Sequence, residues 1–126
     1  MTLRFRQLAI LVTLLFVALA LVWMFAPQLL LASWGVASTP ASALLARRAA
    51  ALYAAVAVMF WLARNTPASP ARHAMSMGLM TACLMLAALG VAELATGHAT
   101  SGILGAVVIE VALALLLWRS TYKGEA

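Results

Sequence analysis

From Leu8 to Ala26 the chain runs without a single charged residue, and three further long apolar stretches follow. A helix needs ~20 predominantly apolar residues to cross the hydrocarbon core of a bilayer. Within that core each backbone N–H and C=O must find its partner inside the protein, so an uninterrupted apolar run of this length is read as a spanning α-helix. Composition agrees: 67% of the residues are hydrophobic and 9% are charged, where a soluble domain has roughly 45–50% and about 25%. These proportions exclude a soluble globular domain, a disordered chain and a nucleic-acid module. Four spans with short connections use up the 126 residues, so the chain reads as a single transmembrane domain over 1–126.

Local signals place the spans. The first runs from about 7 to 26 and stops at Pro27, which lacks the N–H a continuing helix needs. The start, Met1-Thr2-Leu3-Arg4-Phe5-Arg6, followed by an apolar run with Ala18-Leu19-Ala20 in it, also has the outline of a signal peptide. The run continues long enough to span, so it reads as a first transmembrane helix. Trp23 and Phe25 suit the outer interface, where aromatic rings anchor. Residues 27–40 carry Leu29, Leu30, Leu31 and Trp34 and read as an interfacial segment, in one form a short helix lying on the membrane. The second span, about 41–63, begins after Thr39-Pro40, with proline tolerated in the first turn. Arg64-Asn65-Thr66-Pro67-Ala68-Ser69-Pro70 is the clearest loop. The third span covers about 71–95 and is broken by Thr96-Gly97-His98. The fourth covers about 101–118, and a short charged tail follows. The expected fold is all-α: a four-helix antiparallel transmembrane bundle.

Lys and Arg total 8 and Asp and Glu total 3, a net charge of +5. With the N-terminus inside, Arg4, Arg6, Arg64, Arg72, Arg119 and Lys123 fall on the cytoplasmic side, and only Arg47 and Arg48 do not. Excess Lys/Arg marks the cytoplasmic side, so both termini are expected there. The basic balance therefore reads as orientation, with the lipid bilayer as partner and no nucleic acid. The lone cysteine, Cys83, lies inside an apolar run and has no internal disulfide partner. Val17-Ala18-Leu19-Ala20-Leu21 and Val111-Ala112-Leu113-Ala114-Leu115 match, which an Ala/Leu-rich composition explains without a repeat.

Ionisable residues inside a membrane are costly and mark function or packing partners. Glu110 lies near mid-bilayer, nine residues past Ser101 at about 1.5 Å per residue. It shares a four-residue spacing with Gly102, Ala106 and Ala114, a small-residue stripe of the kind that lets helix backbones approach. Glu93 is about one turn from the outer end of the third span. Arg47 shares a face with Ala50, Ala51, Ala54 and Ala57, Arg48 with Leu52, Ala55 and Met59. The smaller face is the better packing seam, so Arg47 is expected to pair with Glu110 or Glu93 and Arg48 to snorkel to the headgroups. Left unpaired, Glu110 is a proton or ion site.

Two further sets are weaker. His73, Met77 and Met80 recur on one helical face. Soft sulfur ligands select Cu(I), but Met is also the common filler of apolar gaps and Arg72 repels a cation. No metal or other cofactor is expected. His98, with Thr96, Gly97, Thr100 and Ser101, sits in the outer loop five residues after Glu93, within reach of a proton relay. No nucleophile–base–acid set, phosphate-cradling loop or zinc spacing is present, so no enzyme is expected.

The run Leu45-Ala46-Arg47-Arg48-Ala49-Ala50-Ala51-Leu52, its exit Phe60-Trp61-Leu62-Ala63-Arg64, the loop into Ser69-Pro70-Ala71-Arg72 and the turn Ala95-Thr96-Gly97 resemble a class of small four-helix bacterial inner-membrane proteins. The resemblance covers about two-thirds of the chain. It implies an antiparallel bundle with an arginine near the start of the second span and carries no activity. The resulting expectation is a multi-pass protein of the bacterial inner membrane. It would be a non-enzymatic accessory or oligomer-forming subunit of a homo-oligomer or larger complex. The alternative is a small transporter or channel with a Glu110/Arg47 proton or ion site.

Overall fold

The computed structural model describes residues 4–122, apart from the side chain of Tyr122. Lys123, placed on the cytoplasmic side above, lies outside the described residues. The order is α1 (Phe5–Phe25), α2 (Pro27–Ser33), α3 (Pro40–Ala63), α4 (Pro70–Ala95), a 3₁₀ turn (Ser101–Ile103) and α5 (Leu104–Tyr122). Four of these segments, counting the 3₁₀ turn with α5, are long and apolar enough to cross a membrane. The antiparallel helical bundle expected from the sequence is present, with α2 as a fifth, short helix.

The ends of the helices follow from their capping residues. α3 opens on Thr39, whose side chain accepts the Ser42 N–H at 3.1 Å while Ser42 Oγ accepts the Thr39 N–H at 2.8 Å. This is a reciprocal cap with serine in the place usually held by Glu or Gln. Pro40 follows at the first helical position, where no N–H is needed. α4 repeats the device with Ser69, which accepts the Arg72 N–H at 3.1 Å, and Pro70. Both α2 and α4 end on a left-handed glycine: Gly35 with φ 73° and Gly97 with φ 83°. At each, the residue after the glycine bonds back to the last turn: Val36 N–H to Leu31 C=O at 2.8 Å, and His98 N–H to Glu93 C=O at 2.9 Å. These closures satisfy carbonyls that a helix end leaves orphaned.

The helices form two pairs, α1 against α3 and α4 against α5. At the end that holds Phe5 and the α3–α4 loop, all four long helices share one core. Leu8, Val12, Phe60 and Leu117 are almost completely buried there, with Leu79 and Cys83 from α4. Arg72 lies over the Phe5 ring, its guanidinium carbon 4.2 Å from the centroid, and donates to the Thr66 carbonyl at 3.0 Å. Arg6 hydrogen-bonds to Asn65. The start of α1, the end of α5 and the α3–α4 loop therefore lie at one end, the inner end by the charge distribution.

The other half is built differently. Its core consists of Trp23, Leu31, Ala46 and Ala50, with Trp34 and Tyr53 packed against them, all from α1, α2, α3 or the turn after α2. No described residue of α4 or α5 belongs to it. At this outer end α2 and Trp34 pack on α1 and α3 and touch the turn before α5 at Thr100 and Gly102.

The outward surface is apolar: Leu14, Leu52 and Leu62 are 65%, 71% and 73% exposed. Only 17% to 28% of the most apolar stretch of each span is buried within the chain. So much uncovered Leu, Val and Phe on every side requires an apolar solvent, as a bilayer provides.

Two expectations need correction. Trp23 is buried, with its ring centroid 5.4 Å from that of Trp34, so it packs inside while Phe25 is the exposed ring. The packing seam of α3 is Ala46, Ala50, Ala57 and Phe60: of the face expected with Arg47 it keeps Ala50 and Ala57, while Arg47, Ala51 and Ala54 are exposed.

Candidate functional site

Glu110 lies six residues into α5 on the helical face that carries Ala106, Leu113, Ala114 and Leu117. The last three are buried against the neighbouring helices and Glu110 itself is half-buried. The carboxyl is therefore held on the inward side, as the small-residue stripe implies. Among the described residues it makes no hydrogen bond and no ion pair.

Glu110 borders two cavities, and Trp34 and Ala106 border both with it. The wider, about 290 Å³, is walled by Trp23, Trp34 and Tyr53, by leucines of α1 and α2, and by Ser33, Gly102 and Gly105. The narrower, about 150 Å³, is walled by α4 and α5 and extends to Glu93. The wider space lies between α1, α2 and Tyr53 of α3 on one side and α5 on the other, and the narrower lies between α4 and α5 beside Trp34.

The roof over them is a clasp between α2 and the turn before α5. Trp34 ends α2, which leaves its carbonyl free, and the Thr100 N–H donates to it at 2.8 Å. Thr100 Oγ1 donates to the Ser33 carbonyl at 3.3 Å. Gly102 fits directly under that carbonyl, where a Cβ would overlap the oxygen, and a Cβ on Gly35 would overlap the Thr100 methyl. Neither glycine can be replaced without moving the roof.

At the outer end of α4 the left-handed Gly97 turns the chain so that His98 folds back over the last turn. His98 Nδ1 comes to 3.0 Å from Glu93 Oε2 and 3.2 Å from Thr96 Oγ1. The pair is mostly exposed. The structure thus joins His98 to Glu93, and a cavity wall joins Glu93 to Glu110.

The expected pairing of Arg47 with Glu110 or Glu93 is absent among the described residues. Arg47 and Arg48 are both exposed, and among the described residues neither makes an ion pair with Glu110 or Glu93. The reason is rotational. Tyr53 faces the wider cavity, and at about 100° per residue Arg47 is turned about 120° away from it. Arg47 lies instead on the side of Ala54 and Val58, which with Thr13, Val17 and Ala20 of α1 form an outward apolar groove. Of the stripe on α5, Gly102 and Ala106 line the wider cavity and Ala114 is in the core.

The His73 set stays apart from this site. His73 is exposed and borders a small polar recess of about 70 Å³ at the inner end, with Phe5, Arg72 and Ser120. Met77 and Met80 are half-buried, and Met80 packs against the core as a filler. Among the described residues no group of three or more His, Cys, Asp or Glu is placed to hold a metal ion.

Trp34 was expected only as part of the interfacial segment over residues 27–40, and Tyr53 was not expected at the site. The signal for Tyr53 is the spacing Ala46, Ala50, Tyr53, Ala57, Phe60, which alternates four and three along one face. Trp34 has no comparable signal, because its position depends on how α2 packs. No protein-family model, no curated protein and no solved structure matches the chain.

Proposed function

We propose that this chain is a small carrier of the bacterial inner membrane, with both termini cytoplasmic, in which Glu110 holds an exchangeable proton or cation. The observation that carries the reading is the half-buried Glu110 carboxyl, unpaired among the described residues, in the wall of two cavities. An intramembrane acid is expensive to retain, and without a basic partner its role is not a structural ion pair. Glu93 and His98 supply a polar route from the outer end to the narrower cavity. The reading involves no enzyme chemistry and no resident cofactor. Inward and outward access would alternate by movement of one helix pair against the other, for which the sparse packing between α1 and α5 at the outer half leaves room.

Proteoliposomes carrying the full chain and a pH-sensitive dye test it. An imposed potential should drive proton uptake that Glu110→Gln abolishes and Arg47→Gln preserves. Equal uptake with wild type and Glu110→Gln would sink the reading.

A second reading, the accessory or oligomer-forming subunit, is favoured by a different surface. Ala74, Gly78 and Ala82 are exposed at four-residue spacing on α4, and a Cβ on Gly78 would meet nothing within 4 Å. Small residues at such spacing let helices of two chains approach. Cysteine at position 78, in a Cys83→Ala background, should then cross-link between copies in membranes; monomer alone would exclude this face.

A further inference from the structure

The wider cavity has a lining that narrows its occupant to one chemical class. Resting on the Glu110 reading above, we infer that it binds an organic ammonium ion, seated between the Glu110 carboxylate and the rings of Trp23, Trp34 and Tyr53.

A desolvated Mg²⁺ or Ca²⁺ takes about six to eight oxygen ligands. The cavity offers one carboxylate, the Ser33 and Tyr53 hydroxyls and backbone, with hydrocarbon over the rest. An anion finds no cationic side chain, since Arg47 is turned away from the space and no described Arg, Lys or His borders it. A neutral apolar molecule would leave the carboxylate buried without a counter-charge, which is unfavourable.

An ammonium ion with alkyl or aryl substituents meets each part of the wall. Its charge pairs with Glu110. Its polarised N–CH₂ and N–CH₃ groups lie on aromatic faces, whose quadrupoles attract a cation most strongly where water is excluded. Its hydrocarbon part lies on the leucines of α1 and α2. The rings are fixed in place: Trp23 and Trp34 pack with centroids 5.4 Å apart, and Phe16 meets Tyr53 edge-on, also at 5.4 Å. About 290 Å³ accommodates a single ring with a short ammonium arm or a tetraalkylammonium.

Binding requires the carboxylate form of Glu110. The titratable groups facing it are Tyr53 from α3 and Cys83 and Glu93 from α4. The α1 and α2 residues in the cavity wall bear no titratable side chain.

The test uses the full chain in a neutral maltoside detergent, titrated calorimetrically with benzyltrimethylammonium chloride. Wild type and Glu110→Asp should bind saturably, Glu110→Gln more than about tenfold more weakly, and Trp34→Leu about tenfold more weakly. Arg48→Gln should bind as wild type does. No saturable binding by wild type, or equal binding by Glu110→Gln, overturns the inference. If Glu110→Gln does not fold, unchanged binding by Trp34→Leu overturns it by itself. The proteoliposome assay without ammonium separates this from the carrier reading. Glu110-dependent proton uptake with no ammonium binding defeats the inference and leaves the carrier. Ammonium binding with no uptake defeats the carrier and leaves a binding site.

Discussion

The Thr100 N–H donates to the Trp34 carbonyl across 2.8 Å, and this bond ties the second helix pair to the first at the outer end. It holds Trp34 in the wall of both cavities that Glu110 borders. The carboxyl and the clasp are therefore one unit, and changes at the roof should be felt at the site.

Gly102→Ala tests the clasp. A Cβ at this position would collide with the Ser33 carbonyl, which is backbone and cannot rotate away. Overpacking of this kind costs typically ~1–3 kcal/mol. The expected result is a lower thermal midpoint in detergent together with a changed tryptophan emission, because Trp34 must move. A stable variant with unaltered emission would show that the roof is not packed this closely.

Gly90 and Gly78 give a matched comparison on α4. A Cβ on Gly90 would come 2.7 Å from Val107 Cγ2 of α5, whereas one on Gly78 meets open space. Gly90→Ala should destabilise by pushing α4 and α5 apart. Gly78→Ala should stabilise the monomer by up to about 1 kcal/mol through helix propensity. Unfolding of both variants in the same detergent decides it.

The Glu93–His98 contact depends on the left-handed turn at Gly97. Gly97→Ala should cost about 1–2 kcal/mol locally and separate the two side chains, visible as a change in the His98 ring resonances. His98→Ala should alter stability by less than about 1 kcal/mol, since the pair is mostly exposed. A large loss with His98→Ala would mean the pair is structural.

Much of the fold was legible in the sequence. The four apolar runs and the capping pairs Thr39-Pro40 and Ser69-Pro70 locate three helices to within two residues. α5 departs more: it starts at Leu104 after a 3₁₀ turn and continues past Trp118. Arg119 suggested an end, but a helix leaving a bilayer has no reason to stop at its first charge, and Ser120 is buried against the core end. The site was half legible. Glu110 stands out because an acid in a span is rare, and its stripe gives the correct face. The partner assignment failed because Arg47 and Tyr53 compete for the inward side of α3, and the larger apolar ring with Ala46, Ala50 and Phe60 takes it. The cavities were not legible at all, since they depend on how Trp34 and α2 seat against α4 and α5, which no single helix encodes.

Arg47→Gln and Arg48→Gln follow from the same geometry. Both side chains are exposed and unpaired with the acids. Each substitution should change stability by no more than about 0.5 kcal/mol, checked by thermal unfolding. A severe loss in either would restore the ion pair to the account.

The most direct test of the central claim is the reactivity of Glu110 itself. Dicyclohexylcarbodiimide is an apolar reagent that condenses with carboxylic acids, and its adduct is located by peptide mass spectrometry. In intact membranes the folded wild-type chain and the Arg47→Gln variant should both carry the adduct on Glu110, at matching rates. A chain labelled on Glu110 only after unfolding, or labelled faster once Arg47 is removed, would contradict an open, unpaired carboxyl in the cavity wall.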